Sequence, residues 1–242
     1  MGGTGVTTSE WDAARAAQAL GWWLDSGVDL AVAEEPRDWR RAAPSPAAAP
    51  AAPAALAEEP HAAARPADLA AFRAWLSAEA GLPLDRGGRR VLPHGNESAP
   101  LMLLADFPSA QECAEGRPLA GESWVLAQRM LAAIGIAPDA AYLATLACFH
   151  VPGARLDGGD LERCASIARD HVRLAKPERL LLFGDAAARA LTGHPLAAAR
   201  GKVHRVEGVR TVATFHPRWL LQRPSDKALA WKDLLLLMSE EA

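Results

Sequence analysis

Four short apolar runs, Leu101–Ala105, Ala141–Thr145, Arg179–Phe183 and residues 209–215, constrain this chain more than anything else in it. Each is too short for a helix and is bounded by turn residues. Each is also apolar without alternation, the mark of a strand buried on both faces. Helical patterns fill the intervals: residues 123–134, 160–175 with Leu161, Cys164, Ile167, Ala168 and Val172 on one face, 186–192, and a last one opening at Ser225 that turns Trp231, Leu234, Leu235 and Met238 inward. A helix over 68–80 precedes them. Strands alternating with helices predict an α/β chain with a parallel sheet covered on both faces.

The 242 residues, half of them apolar, suffice for one sizeable domain with an appendage. The appendage is legible as three segments: an N-terminal helical segment over 1–41, a Pro/Ala-rich linker over 42–66 and the α/β domain over 67–242. The linker has too few large apolar groups to offset the entropy of ordering. For the N-terminal helix, with Trp11, Leu20, Trp23 and Leu24 near helical spacing, two readings stay open: packing on the rest of the chain, or docking a protein partner. Lys plus Arg number 26 against 29 Asp plus Glu, so any nucleic-acid affinity must come from a local patch. Three cysteines with no close pair make no disulfide framework, and no apolar run reaches the roughly 20 residues that cross a bilayer. A monomeric cytoplasmic protein with no membrane attachment is expected.

Sheets of this kind bind ligands outside the carboxyl ends of their strands. There stand Asp106-Phe107-Pro108-Ser109 after the first run and His216-Pro217 after the last, a carboxylate and an imidazole on one edge. Taken singly, each is as readily a turn Asp or a loop His; their convergence points to a site. Between Arg200 and Lys227, seven Lys or Arg stand against two acids, a local excess that suits a polyanion.

Several blocks carry a family resemblance, in order along roughly 150 residues. They are HGNESAPLMLLADFPS (94–109), EGRPLAG (115–121), YLATLACFHVPGAR (142–155), KPERLLLFGDAAARALTG (176–193), ARGKVH (199–204) and TFHPRWLLQRPSDKALAWKDL (214–234). Together they resemble the uracil-DNA glycosylase superfamily, above all its iron-sulfur-containing family 4 branch. The closing HP-x-x-LL block is the most specific part. The resemblance implies a three-layer α/β/α sandwich around a central, mostly parallel four-stranded sheet. It also implies DNA as partner with a base flipped out of the duplex, and hydrolysis of its N-glycosidic bond in base excision repair. His216 falls on the family's leaving-group donor. Asp106 falls on its motif Glu, one methylene shorter. Phe107, Pro108, Leu119 and Thr145 fall on the base pocket, and Trp219, Leu220 and Leu221 on the apolar wedge that fills the stack. Arg200, Lys202, Arg218, Arg223 and Lys227 are the candidate phosphate contacts.

The departures from the pattern fall on functional positions. Gly81 to Arg90 has no cysteine where the family has Cys-x-x-Cys, and Cys148 and Cys164 alone cannot hold a cluster that takes four ligands. No iron-sulfur centre and no other metal is expected. The family's base-reading Asn corresponds to Thr145 or, one residue out of register, Ala144; neither makes a bidentate contact. The stacking Phe is Leu119. The expected function is therefore a clusterless DNA glycosylase acting on uracil or another damaged base, with an altered pocket. The alternative is an inactive DNA-binding or repair-partner module on the same fold.

Overall fold

Leu101 to Ala105 are buried without exception, and a strand with no exposed side chain must lie inside a sheet that is covered twice. The computed structural model describes residues 65–85, 87–150 and 158–239. The N-terminal helical segment, nearly all of the Pro/Ala-rich linker and the end of the 142–155 block lie outside the described residues. Six strands form one sheet: β1 (His94–Gly95), β2 (Leu101–Ala105), β3 (Ala141–Thr145), β4 (Arg179–Phe183), β5 (Val203–Val206) and β6 (Val209–Thr214). Their order is β1-β3-β2-β4-β6-β5. The inner four are parallel and in register, Leu103 pairing with Leu143 on one side and with Leu181 on the other. These are the four strands expected from the sequence.

The expected sheet is corrected at both edges, where β1 and β5 add antiparallel strands. β1 is only two residues long, and β5 reads Val-His-Arg-Val, with no apolar run to announce it. β5 turns back into β6 through Glu207 and Gly208, both at positive φ, as a two-residue hairpin of the primed kind requires.

Helices α1 (Leu69–Ala78), α2 (Ala110–Glu115), α3 (Gly121–Ala133), α4 (Gly158–Ala175), α5 (Asp185–Thr192), α6 (Leu196–Ala199), α7 (Pro217–Gln222) and α8 (Lys227–Met238) supply the outer layers. Side chains alternate across each strand. Met102, Leu104, Leu180 and Leu182 meet Cys164, Ala168 and Val172 of α4 and Ala187 and Leu191 of α5. Leu101, Leu103, Leu181 and Phe183 meet Ala127 and Leu131 of α3 and Leu234 and Leu237 of α8. This is the three-layer α/β/α sandwich.

In α8 the inward face differs from expectation. Ala230, Asp233, Leu234 and Leu237 are buried, whereas Trp231 and Leu235 are among the exposed large apolar residues. A carboxylate takes one of the core positions, so the true stripe does not look apolar. No helix among the described residues is long and apolar enough to cross a membrane.

Candidate active site

β2, β4 and β6 end side by side, Ala105 opposite Phe183 and Phe183 opposite Thr214. The ladder runs one residue further: the Asp106 N–H donates to Phe183 O at 3.0 Å and the Gly184 N–H to Thr214 O at 3.0 Å. Asp106 and, two residues past β6, His216 therefore leave the sheet on the same edge, with Gly184 between them. A Cβ at Gly184 would lie 2.6 Å from Asp106 Oδ2, and the residue holds φ +102°, so only glycine lets the carboxylate stand there.

His216 caps α7. Its backbone is extended, Pro217 occupies the first helical position, and its Nδ1 accepts the Arg218 main-chain N–H at 3.1 Å. The ring is 4% exposed. Burial, reinforced by the Arg218 cation, pushes its pKa well below the usual imidazole value, so the ring is neutral. A neutral ring whose Nδ1 accepts must carry its proton on Nε2. That Nε2–H has no hydrogen-bond partner among the described residues. Asp106 Oδ1 lies 3.7 Å from it, beyond hydrogen-bond reach.

Asp106 is the counterpart. Burial raises its pKa to about 6, against the opposing pull of Arg218. The Arg218 guanidinium pairs through Nη2 with Asp106 Oδ1, and the same nitrogen donates to Phe107 O at 3.1 Å. Its Nη1 lies 3.6 Å from Glu112 Oε2.

Two buried carboxylates that sequence reasoning missed hold these loops in place. Glu112, 2% exposed, closes a capping box with Ser109 at the start of α2 and accepts the Leu119 N–H at 2.7 Å. The Ser-x-x-Glu spacing was the available signal. Asp233, on α8, accepts from Thr214 Oγ1 at 2.7 Å, Arg200 Nε at 2.8 Å and the Gly201 N–H at 3.2 Å. It ties the end of β6 to the chain after α6, and no local motif marks it.

A cavity of about 640 Å³ opens onto this edge, walled by Asp106, His216, Arg218, Phe215, Trp219 and Gln222 among others. It is concave, partly aromatic, and carries one unsatisfied buried donor, the combination expected of a ligand site.

A profile of the Uracil DNA glycosylase superfamily matches residues 92–235. Among curated proteins, the Type-4 uracil-DNA glycosylase of Archaeoglobus fulgidus is 26% identical over 141 residues, covering 54% of this chain and 71% of the relative. That of Pyrobaculum aerophilum is 24% identical over 166 residues, 64% of this chain and 85% of the relative. The chain belongs to the uracil DNA glycosylase superfamily.

In this member of the superfamily the sequence-derived residues separate. Asp106, His216, Arg200, Arg218 and Trp219 border the large cavity. The four base-pocket residues do not appear on its wall. Leu119 is packed into the core beneath α3, 1% exposed, and Pro108 is buried with its carbonyl accepting from His150 Nδ1 at 2.6 Å. Phe107 packs on the α4 side of the sheet. Thr145 borders a different cavity, about 20 Å³ in volume, with Cys148 and Cys164.

The wedge is likewise smaller than expected. Trp219 and Leu221 are exposed, whereas Leu220 is buried in the core at 1% exposure and has no surface to offer a DNA stack. Lys202, Arg223 and Lys227 are exposed, Arg223 lying 4.7 Å over the Trp219 ring. Arg200 is committed elsewhere: its guanidinium sits on Asp233 and 4.1 Å over the Phe215 ring.

The resemblance to family 4 implies an iron-sulfur cluster, for which this chain offers three cysteines. Cys148 and Cys164 line a small cavity together with Leu76, Leu82 and Pro83. Burial pushes both thiols up to about 12, the reverse of what a thiolate ligand needs. Among the described residues no group of three or more His, Cys, Asp or Glu could hold a metal ion. The residues present do not fit a four-thiolate cluster.

Proposed function

We propose that this protein is a DNA glycosylase without an iron-sulfur cluster, hydrolysing the N-glycosidic bond of uracil or another damaged base. The observation that carries the reading is the buried, neutral His216 on the wall of the large cavity, whose Nε2–H has no partner among the described residues. Superfamily membership and two relatives named uracil-DNA glycosylases support the same chemistry.

A nucleotide extruded from the stack enters the cavity. As the bond from C1′ to the base nitrogen breaks, its electron pair goes to the base. His216 Nε2–H donates to the base carbonyl where that negative charge gathers. A fixed donor in a dry site is strong, and a neutral one stabilises the anion without having to surrender its proton. The sugar becomes cationic at C1′. Asp106 as a carboxylate steadies that charge and takes a proton from the water that attacks there. Trp219 and Leu221 would fill the gap in the stack, with Lys202, Arg223 and Lys227 on the phosphates. With Leu119 and Thr145 away from the cavity, uracil selectivity is expected to be relaxed or redirected.

The deciding assay is base release from oligonucleotides carrying uracil, hypoxanthine or xanthine, with His216→Ala as control. Release from none of them overturns the enzyme reading. One observation favours the second reading, a DNA-binding module without turnover: Arg218 sits on the carboxylate that the chemistry needs. That reading expects salt-dependent DNA binding with no base release.

A further inference from the structure

Arg218 touches both His216 and Asp106, but through two different parts of itself. Its main-chain N–H sets the His216 tautomer, and its side chain occupies Asp106. The charged groups near Asp106 are Arg218 and Glu112, with neutral His216 beside them; Asp185, next to Gly184, is held by Arg189 and the Leu196 N–H. A cation beside Asp106 is what the glycosylase chemistry calls for, but at the moment of bond breaking that cation must be the sugar. As the site stands, the Arg218 guanidinium is the cation paired with Asp106.

Resting on the glycosylase reading, we propose that Arg218 is a phosphate-operated latch on Asp106. Without nucleic acid the guanidinium holds the carboxylate; a phosphodiester flanking the extruded nucleotide draws it away and frees Asp106 for the reacting sugar. The substrate class follows: a nucleotide within a strand, not a free nucleoside.

Three observations support this. The Arg218 side chain is 34% exposed against 19% for Asp106, so the cation lies on the solvent side of the pair. A guanidinium binds carboxylate and phosphate in the same forked geometry, which makes a phosphate a direct competitor. Little else depends on the closed position. Leaving it costs Arg218 the Asp106 pair, the bond to Phe107 O and the longer 3.6 Å contact with Glu112, while Glu112 keeps the Ser109 and Leu119 N–H groups. Arg200, the other arginine on the cavity wall, is bound to Asp233 and is not placed to do this.

The test uses an oligonucleotide carrying a tetrahydrofuran abasic analogue, which presents phosphates but has no base to release. In equilibrium binding, the slope of log K against log salt should flatten by roughly 0.7 to 0.9 in Arg218→Ala, the loss of one phosphate contact. Arg218→Lys should retain the slope. In parallel, carbon NMR of labelled Asp106 should show its titration midpoint rising on oligonucleotide binding, and rising more in wild type than in Arg218→Ala, where no cation is withdrawn. Near-UV circular dichroism confirms that both variants fold. An unchanged slope in Arg218→Ala, or an equal midpoint rise in the two proteins, overturns the latch. Neither measurement needs base release, so failure of the glycosylase reading and failure of the latch are separate results.

Discussion

The carboxyl edge of one sheet carries two cavities of opposite character. Around the ends of β4 and β6, a volume of about 640 Å³ is walled by Asp106, His216 and Arg218. Below the end of β3, about 20 Å³ is walled by leucines, prolines and two thiols. The first keeps polar groups that are costly to bury, one of them without a partner among the described residues. The second is mainly apolar, with Thr145 and His171 on its wall: Leu76 of α1 lines it, and Phe72 lies against Trp75 and His171. Groups left uncompensated at a cavity wall indicate use, whereas apolar filling indicates stability. Thr145, Cys148 and Cys164, on which the resemblance places base reading and a cluster, line this packed cavity.

The largest test of that contrast is Phe72→Ala on the packed side. Phe72 is fully buried, so its truncation should cost about 3–5 kcal/mol in urea unfolding while base release per folded molecule stays unchanged. On the open side the reverse is expected. His216→Ala should slow single-turnover base release about 10²- to 10³-fold, the range for losing one buried donor to a developing anion. Its stability should fall by less than that of Phe72→Ala, about 0.5–2 kcal/mol, because it removes the Nδ1 cap of α7.

Smaller and graded is the pH dependence. Asp106 must be ionised to accept a proton, and its pKa is raised to about 6, not lowered. Hence kcat/KM should decline as pH falls through about 6, approaching about tenfold per unit, rather than below pH 4. A profile flat from pH 7 to 5 would remove Asp106 from the chemistry. The smallest effect is expected at the thiols: replacing Cys148 and Cys164 together by Ala should cost about 1 kcal/mol or less and leave release unaltered. Stoichiometric iron in the purified wild type, with loss of stability on chelation, would break the contrast.

The four inner strands were legible because a strand buried on both faces leaves an unbroken apolar run, and their parallel order put Asp106 and His216 on one edge. The edge strands were not, since β1 is two residues and β5 is interrupted by His204 and Arg205. Asp233 and Leu220 show the limit from opposite sides. A buried carboxylate reads as a solvated one until Arg200, Gly201 and Thr214 are seen converging on it. A leucine beside an exposed tryptophan reads as wedge until its contact with the core below is seen. Glu112 could have been found from its capping spacing, but not its reach to the Leu119 N–H seven residues on.

The bond from the Arg218 N–H to His216 Nδ1 comes from the peptide, not from the arginine side chain. Every residue except proline supplies that N–H. The tautomer of His216 therefore does not depend on which side chain stands at position 218, whereas the charge balance at Asp106 does, the Arg218 cation opposing the upward pull of burial. One position can thus tune the availability of the carboxylate, by drift or by design, and keep the tautomer of the proposed leaving-group donor.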